Sequence, residues 1–237
     1  MNVFLLLLLL TLLAGLAMPF GALIASIVRF KNHELADEFV HFVVAFGGGA
    51  LLSAVALVLV PEGLSILNPL LACVCFILGG LIFMAIDIYL QRKQTSASQL
   101  LAMLTDFVPE SIALGAALAI GNSSAFLLAS LIALQNIPEG FNAYNELRAS
   151  SRRSSRNIIW LFALMSLLGP VAALGGYYWM FAHIKVLAAT VLIAAGGILY
   201  SVFQDIAPKA KLDSHWAPPM GAVTGFMLGM LGSALVA

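Results

Sequence analysis

Two segments of this chain place acids, amides and prolines inside long apolar runs. Asp106-Phe-Val-Pro109-Glu110-Ser111 and Gln135-Asn136-Ile-Pro138-Glu139-Gly140 share a polar-x-x-Pro-Glu-small pattern, offset by 29 residues (106 to 135). In a helix, residues i and i+4 lie on one face. Asp106 and Glu110 therefore point the same way from one helix, and Gln135 and Glu139 do so from the next. A short turn joins the two helices, so they run antiparallel. Facing each other, they would present four oxygen-bearing side chains to one point. Asn136 adds a second amide beside Gln135. Oxygen donors gathered in an apolar setting are the chemistry of cation binding.

The prolines serve the same end. Each lacks an N–H and disturbs the carbonyl four residues back, which belongs to Thr105 for Pro109 and to Leu134 for Pro138. A carbonyl freed at membrane depth needs protein, water or a cation as its partner. The small residues Ser111 and Gly140 leave room beside the acids, and Asn142 continues the face of Glu139 by three residues. Asp106, Glu110 and Glu139 would repel one another if all were ionised at close range. A divalent cation would stabilise the ionised forms, which would couple metal uptake to proton release.

The surrounding elements must be membrane helices. The chain has 237 residues, 62% hydrophobic and 9% charged, with a mean hydropathy of +1.05; a soluble domain carries about 25% charged residues. Runs of about 20 apolar residues predict eight spans: 3–28, 39–61, 69–91, 99–121, 124–147, 157–180, 184–204 and 217–236. They predict an all-α bundle with a single integral membrane domain over residues 1–237. The N-terminal run lacks a basic leader and a clear cleavage site, so it reads as the first span and not as a signal peptide. Ten of the eleven Lys and Arg residues fall in alternate connections: Arg29, Lys31; Arg92, Lys93; Arg148, Arg152, Arg153, Arg156; Lys209, Lys211. Only Lys185 lies on the other side. Basic loops face the cytoplasm, so both termini are expected outside, in a plasma or inner membrane. Spans 2 and 7 both begin glycine-rich, at Gly47-Gly-Gly-Ala50 and Ala194-Ala-Gly-Gly197, and end near Pro61 and Pro208. That match suggests a 3+2+3 inverted repeat with the motif pair at its centre.

Other polar residues read as structural. Asp87 and Asp205 sit near span ends as isolated acids. His33, His41, His183 and His215 lie in loops or at span ends, and none has i, i+4 spacing to a motif acid. His41 near Glu38 and His33 near Asp37 would make at most a weak cytoplasmic exit patch. Cys73 and Cys75 read as core residues. The cluster Arg148–Arg156 orients the chain and contacts anionic lipid, and Tyr177-Tyr-Trp179 fits an outer interfacial belt. The zero net charge suggests no nucleic acid, and no organic cofactor is expected. An intramembrane hydrolase would need a His-rich zinc site, paired aspartates or a nucleophile with its base, so the chain does not read as an enzyme.

The chain resembles the ZIP (Zrt/Irt-like) family of divalent metal transporters. Gln135-Asn-Ile-Pro-Glu-Gly140 is similar to that family's fifth-helix His-Asn-x-Pro-Glu-Gly motif. Asp106-Phe-Val-Pro-Glu-Ser111 is similar to its fourth-helix counterpart, and Leu13-Ala-Gly-Leu-Ala-Met-Pro-Phe-Gly-Ala22 to its first helix. The resemblance implies movement of Zn²⁺, Fe²⁺, Mn²⁺ or a related ion toward the cytoplasm without ATP. It also implies a path between helices 4 and 5, a homodimer, and an elevator-like motion. Its metal ligands would fall on Asp106, Glu110, Gln135, Asn136 and Glu139, with Ser111 and Asn142 along the pathway. Four positions depart from the family pattern. Asp106 and Gln135 stand where it has His, Phe107 where it has Asn, and Gly169 where its two-metal members carry a Glu before a Pro. One metal site is therefore expected instead of two. The connection Gln91–Ser98 holds no His, which argues against a metal-sensing loop. An all-oxygen ligand set suits harder ions than imidazole does, so tolerance of Mn²⁺ and Fe²⁺ relative to Zn²⁺ is expected. The missing histidines keep a transport-inactive metal-binding relative, a sensor or subunit, as the alternative.

Overall fold

A computed structural model describes residues 2–28, 33–93, 96–119, 124–151, 153–180, 183–213 and 215–236. They form eight helical segments, with no strand among the described residues. Helix α1 is Val3–Ile27. Helix α2 runs through His33–Ala54, a π-helical turn at Val55–Leu59, and Val60–Ile66. Helices α3, α4 and α5 are Pro69–Lys93, Ser96–Ala119 and Ser124–Ser150. Helix α6 comprises Ser155–Met165 and Leu168–Gly175, then a π-helical turn at Gly176–Met180. Helix α7 comprises Ile184–Ser201, a π-helical turn at Val202–Ile206, and Ala207–Ala210. Helix α8 is Pro218–Val236.

Among the described residues, five of these rods are long and apolar enough to cross a membrane: α1, Glu34–Ile66 of α2, Pro69–Leu90 of α3, Ser155–Tyr178 of α6, and α7. The chain is thus a multi-pass membrane helix bundle in outline. Helices α4 and α5, which carry the motifs, fall outside that set. The tight turn expected between these two helices falls on residues 120–123, outside the described residues.

Two helices run further than their apolar windows suggest. The expected ends at 61 and 204 were set at or before Pro61 and Pro208, yet α2 continues to Ile66 and α7 to Ala210. A π-helical turn absorbs each proline. The Val60 N–H reaches the Val55 carbonyl, and the Ala207 N–H reaches the Val202 carbonyl. These bonds span five residues instead of four, so the register shifts just before the residue that has no N–H. Helix α6 is interrupted at Ser166-Leu167, four residues before Pro170. By contrast, Pro109 and Pro138 lie inside continuous α-helix.

Packing places the motif helices at the centre. Helix α5 lies mainly on α1 and α2 and also touches α4 and α8; helix α4 lies mainly on α6 and also meets α7 and α1. The other main pairs are α2 with α8 and α3 with α7. In its most apolar window α2 is 67% buried and α3 only 22%, so α2 is an inner helix and α3 a peripheral one. Buried side chains on α1, α4 and α5, including Leu7, Met18, Phe107, Leu114, Leu128 and Ile132, fill the middle.

Glycine contacts hold these pairs together at close range. A Cβ on Gly140 would land on the Met18 carbonyl of α1, and one on Gly21 would land on the Ile137 carbonyl of α5. The same reciprocity joins α4 to α6, through Gly115 against Ala173 and Gly176 against Ile112. In a bilayer, lipid tails give helices no hydrophobic reason to associate, so close backbone approach through small residues supplies the packing.

Candidate functional site

The α1–α5 contact fixes where the second motif sits. The Asn136 side-chain amide donates to the Ala14 carbonyl at 2.8 Å, and Gly140, one turn on, rests against Met18. Those two contacts tie the Gln135–Gly140 turn to α1. The α4–α5 contact then brings the motifs together at one point: the Gln135 amide donates to Glu110 Oε1 at 2.5 Å. Glu110, Gln135 and Asn136 are all at most 1% exposed.

Each of these residues keeps an oxygen in reserve. Among the described residues, four buried side-chain polar atoms lack a hydrogen-bond partner: Glu110 Oε2, Gln135 Oε1, Asn136 Oδ1 and Glu139 Oε1. All four are oxygens, and all belong to the two motifs. Buried polar atoms in folded proteins are almost always paired, and an orphan calls for an explanation. Four orphaned acceptors and no orphaned donor describe a place that favours positive charge.

Asp106 is oriented differently. Its Oδ1 accepts a hydrogen bond from the Ser201 hydroxyl of α7 at 3.4 Å, and it lies within range of the charges of Glu110 and Glu139. Among the described residues, no three His, Cys, Asp or Glu side chains are close enough together to hold a metal ion. Glu110 and Gln135 meet, Asp106 pairs with α7, and Glu139 is held within range of the charges of Asp106 and Glu110. The i, i+4 rule sets which face of a helix a residue occupies, but not which neighbour that face meets.

The pathway residues divide. Asn142 is half-buried, and its amide donates to Glu146 Oε1 at 3.3 Å. Ser111 is 2% exposed, beside Glu110 on α4. Asn145 is exposed. Beyond the motifs, Asp205 was legible only as an isolated acid. It lies one turn along α7 from Ser201, within range of the charges of Asp106, Asp87, Lys209 and Glu146. Asp87 accepts a hydrogen bond from the Tyr200 hydroxyl at 3.2 Å. The spacing Ser201, Asp205, Lys209 places three polar residues on one face of α7 at i, i+4 and i+8, a signal present in the sequence.

Phe107 packs α4 against α1 and α6. Its ring is 1% exposed and lies between glycines of α1 and α6. A Cβ on Gly169 would meet the ring at 2.6 Å, and one on Gly15 would meet it at 2.9 Å. Any side chain at 169 would collide with the ring, so α6 has no room to add a ligand there.

The histidines stay apart. His183 is exposed; His41 Nδ1 lies 2.6 Å from the Asp37 carbonyl and His215 Nδ1 3.0 Å from the Asp213 carbonyl. The His33 side chain lies outside the described residues. Cys73 and Cys75 are unpaired thiols, one exposed and one buried. Tyr177 and Tyr178 stack edge to face at 5.1 Å. Neither a protein-family model nor a curated protein matches the chain.

Proposed function

We propose that the chain is a divalent-cation transporter of the ZIP type, passing Mn²⁺, Fe²⁺ or Zn²⁺-like ions toward the cytoplasm between α4 and α5. The observation that carries this reading is the set of four orphaned oxygens on Glu110, Gln135, Asn136 and Glu139. A structural role for the motifs would leave these atoms paired. An apolar role would not place them there, because an unsatisfied buried oxygen costs about 1–3 kcal/mol. A cation passing between the helices satisfies them without a permanent partner.

The eight-span, inverted-repeat arrangement draws support from the packing. Exchanging α1 with α6, α2 with α7, α3 with α8 and α4 with α5 maps the main helix pairs onto themselves. The α1–α5 pair becomes α6–α4, and α2–α8 becomes α7–α3. The π-helical turns before Pro61 and Pro208 exchange as well. Eight spans and ten basic residues on one side put both termini outside. The wall formed by Phe107 and Gly169 supports a single metal position. The two motifs lie on the elements that the exchange relates, as expected when binding occurs at a repeat interface.

Purified protein in proteoliposomes tests the reading. Manganese uptake is expected in the wild type and is expected to vanish in Glu110→Ala and Glu139→Ala, with both variants still inserted. Uptake retained in either variant removes the role assigned to these oxygens. Metal binding without uptake would identify the chain as a sensor or subunit.

A further inference from the structure

We propose that Lys209 is a tethered cation that closes the basic-loop end of a polar track, by pairing with Glu146. The cargo of that track rests on the transport reading above; the closure itself rests on the geometry that follows.

Two polar stripes, one on α5 and one on α7, define the track, and the Lys209–Glu146 pair joins them. On α5, Gln135, Glu139, Asn142 and Glu146 follow at intervals of four, three and four residues, which is one helix face. On α7, Ser201, Asp205 and Lys209 follow at intervals of four. The α7 stripe is tied to its neighbours at both ends. Toward the bundle centre, Ser201 donates to Asp106 on α4. Toward the basic loops, Lys209 Nζ lies 3.0 Å from Glu146 Oε1. That same oxygen accepts from the Asn142 amide at 3.3 Å, so the ion pair is continuous with the stripe that leads back to Glu139.

The charges explain why a lysine belongs there. Asp106, Glu139, Asp205 and Glu146 lie along the track, and Asp87 approaches Asp205 from α3. An ammonium at the mouth relieves part of the repulsion among them. A cation travelling down the track would supply the same relief and would compete for Glu146. The side chains of Lys209 and Glu146 are 49% and 29% exposed, so water reaches the pair and it can open. A partly exposed ion pair of this kind supports only a shift of roughly two- to fivefold in an opening equilibrium, which suits a latch and not a permanent strut.

Thiol labelling reads the latch without reference to metal. In a background carrying Cys73→Ala and Cys75→Ala, Ser201→Cys reports access to the track from the basic-loop end. Purified protein in detergent is treated with a neutral maleimide, so the charge of position 209 does not steer the probe. Lys209→Gln is expected to raise the labelling rate roughly two- to fivefold, Lys209→Arg to leave it unchanged, and the exchange Glu146→Lys with Lys209→Glu to return it to the starting rate. A second arm replaces both partners by cysteine, Glu146→Cys with Lys209→Cys. Oxidation is expected to slow labelling at Ser201→Cys and reduction to restore it. Unchanged labelling in Lys209→Gln, or an oxidised pair that leaves labelling untouched, overturns the proposal. If labelling responds as expected but proteoliposomes take up no manganese, the latch stands and the transport reading fails.

Discussion

Replacing Glu139 by leucine separates a binding role from a structural one, because the two roles predict opposite signs. Glu139 Oε1 is buried without a partner, and the residue lies within range of the charges of Asp106 and Glu110. A side chain that held the bundle together would be missed on removal. A side chain kept for an absent cation is a liability until that cation arrives. Removing one unsatisfied buried oxygen recovers about 1–3 kcal/mol, and relief of carboxylate repulsion acts in the same direction. For a chain of this size, 1 kcal/mol moves a melting midpoint by roughly 2–4 °C. Metal-free Glu139→Leu should therefore melt roughly 2–12 °C above the wild type. Manganese reverses the ranking. At about one hundred times its Kd, a ligand stabilises the native state by about 2.7 kcal/mol, or roughly 5–11 °C for the wild type. The variant should show no such shift. The assay is intrinsic fluorescence in detergent during heating, with and without MnCl₂, read from Trp160, Trp179 and Trp216. A variant that melts lower than the wild type without metal, and is still stabilised by manganese, refutes the argument.

Three further outcomes follow from neighbouring residues. Asn136→Ala breaks the hydrogen bond to the Ala14 carbonyl, a loss of about 0.5–1.5 kcal/mol, and also removes the orphaned Oδ1; the two effects oppose, so its metal-free midpoint should lie below that of Glu139→Leu in the same melting assay. Gly140→Ala places a methyl on the Met18 carbonyl and should cost at least roughly 1–3 kcal/mol; Gly175→Ala meets nothing within 4 Å and should stabilise by roughly 0.5–1 kcal/mol, so their midpoints should move in opposite directions. With only oxygen ligands in reach, Zn²⁺ should compete weakly with Mn²⁺ for uptake into proteoliposomes, and a strong preference for Zn²⁺ would contradict that ligand set.

Much of the site was legible in residue order. The Pro-Glu motifs stand out because carboxylates and prolines are out of place in apolar helices, and i, i+4 spacing groups each motif on one face. The contact between Glu110 and Gln135 is the one that this grouping implies. What residue order hides is which face meets which helix. Asp106 shares a face with Glu110, yet it bonds Ser201, 95 residues away. Asp205 looked solitary because its neighbours come from α3, α4 and α5. Helix ends were misjudged at Pro61 and Pro208 for a local reason. A proline usually ends a helix, but a π-helical turn just before it shifts the register and lets the helix continue. The role of Phe107 was equally hidden. A phenylalanine in an apolar run is unremarked until Gly15 and Gly169 are found to have made room for its ring.

The central claim is that a divalent cation sits among the motif oxygens, and anomalous diffraction from crystals of the protein grown with Mn²⁺ tests it most directly. The account predicts a manganese peak between α4 and α5, within bonding distance of Glu110 and Glu139 and of at least one of the Gln135 and Asn136 side-chain oxygens. A fully ordered bundle in which those oxygens are paired with protein or water, with no peak between the two helices at saturating metal, would contradict it.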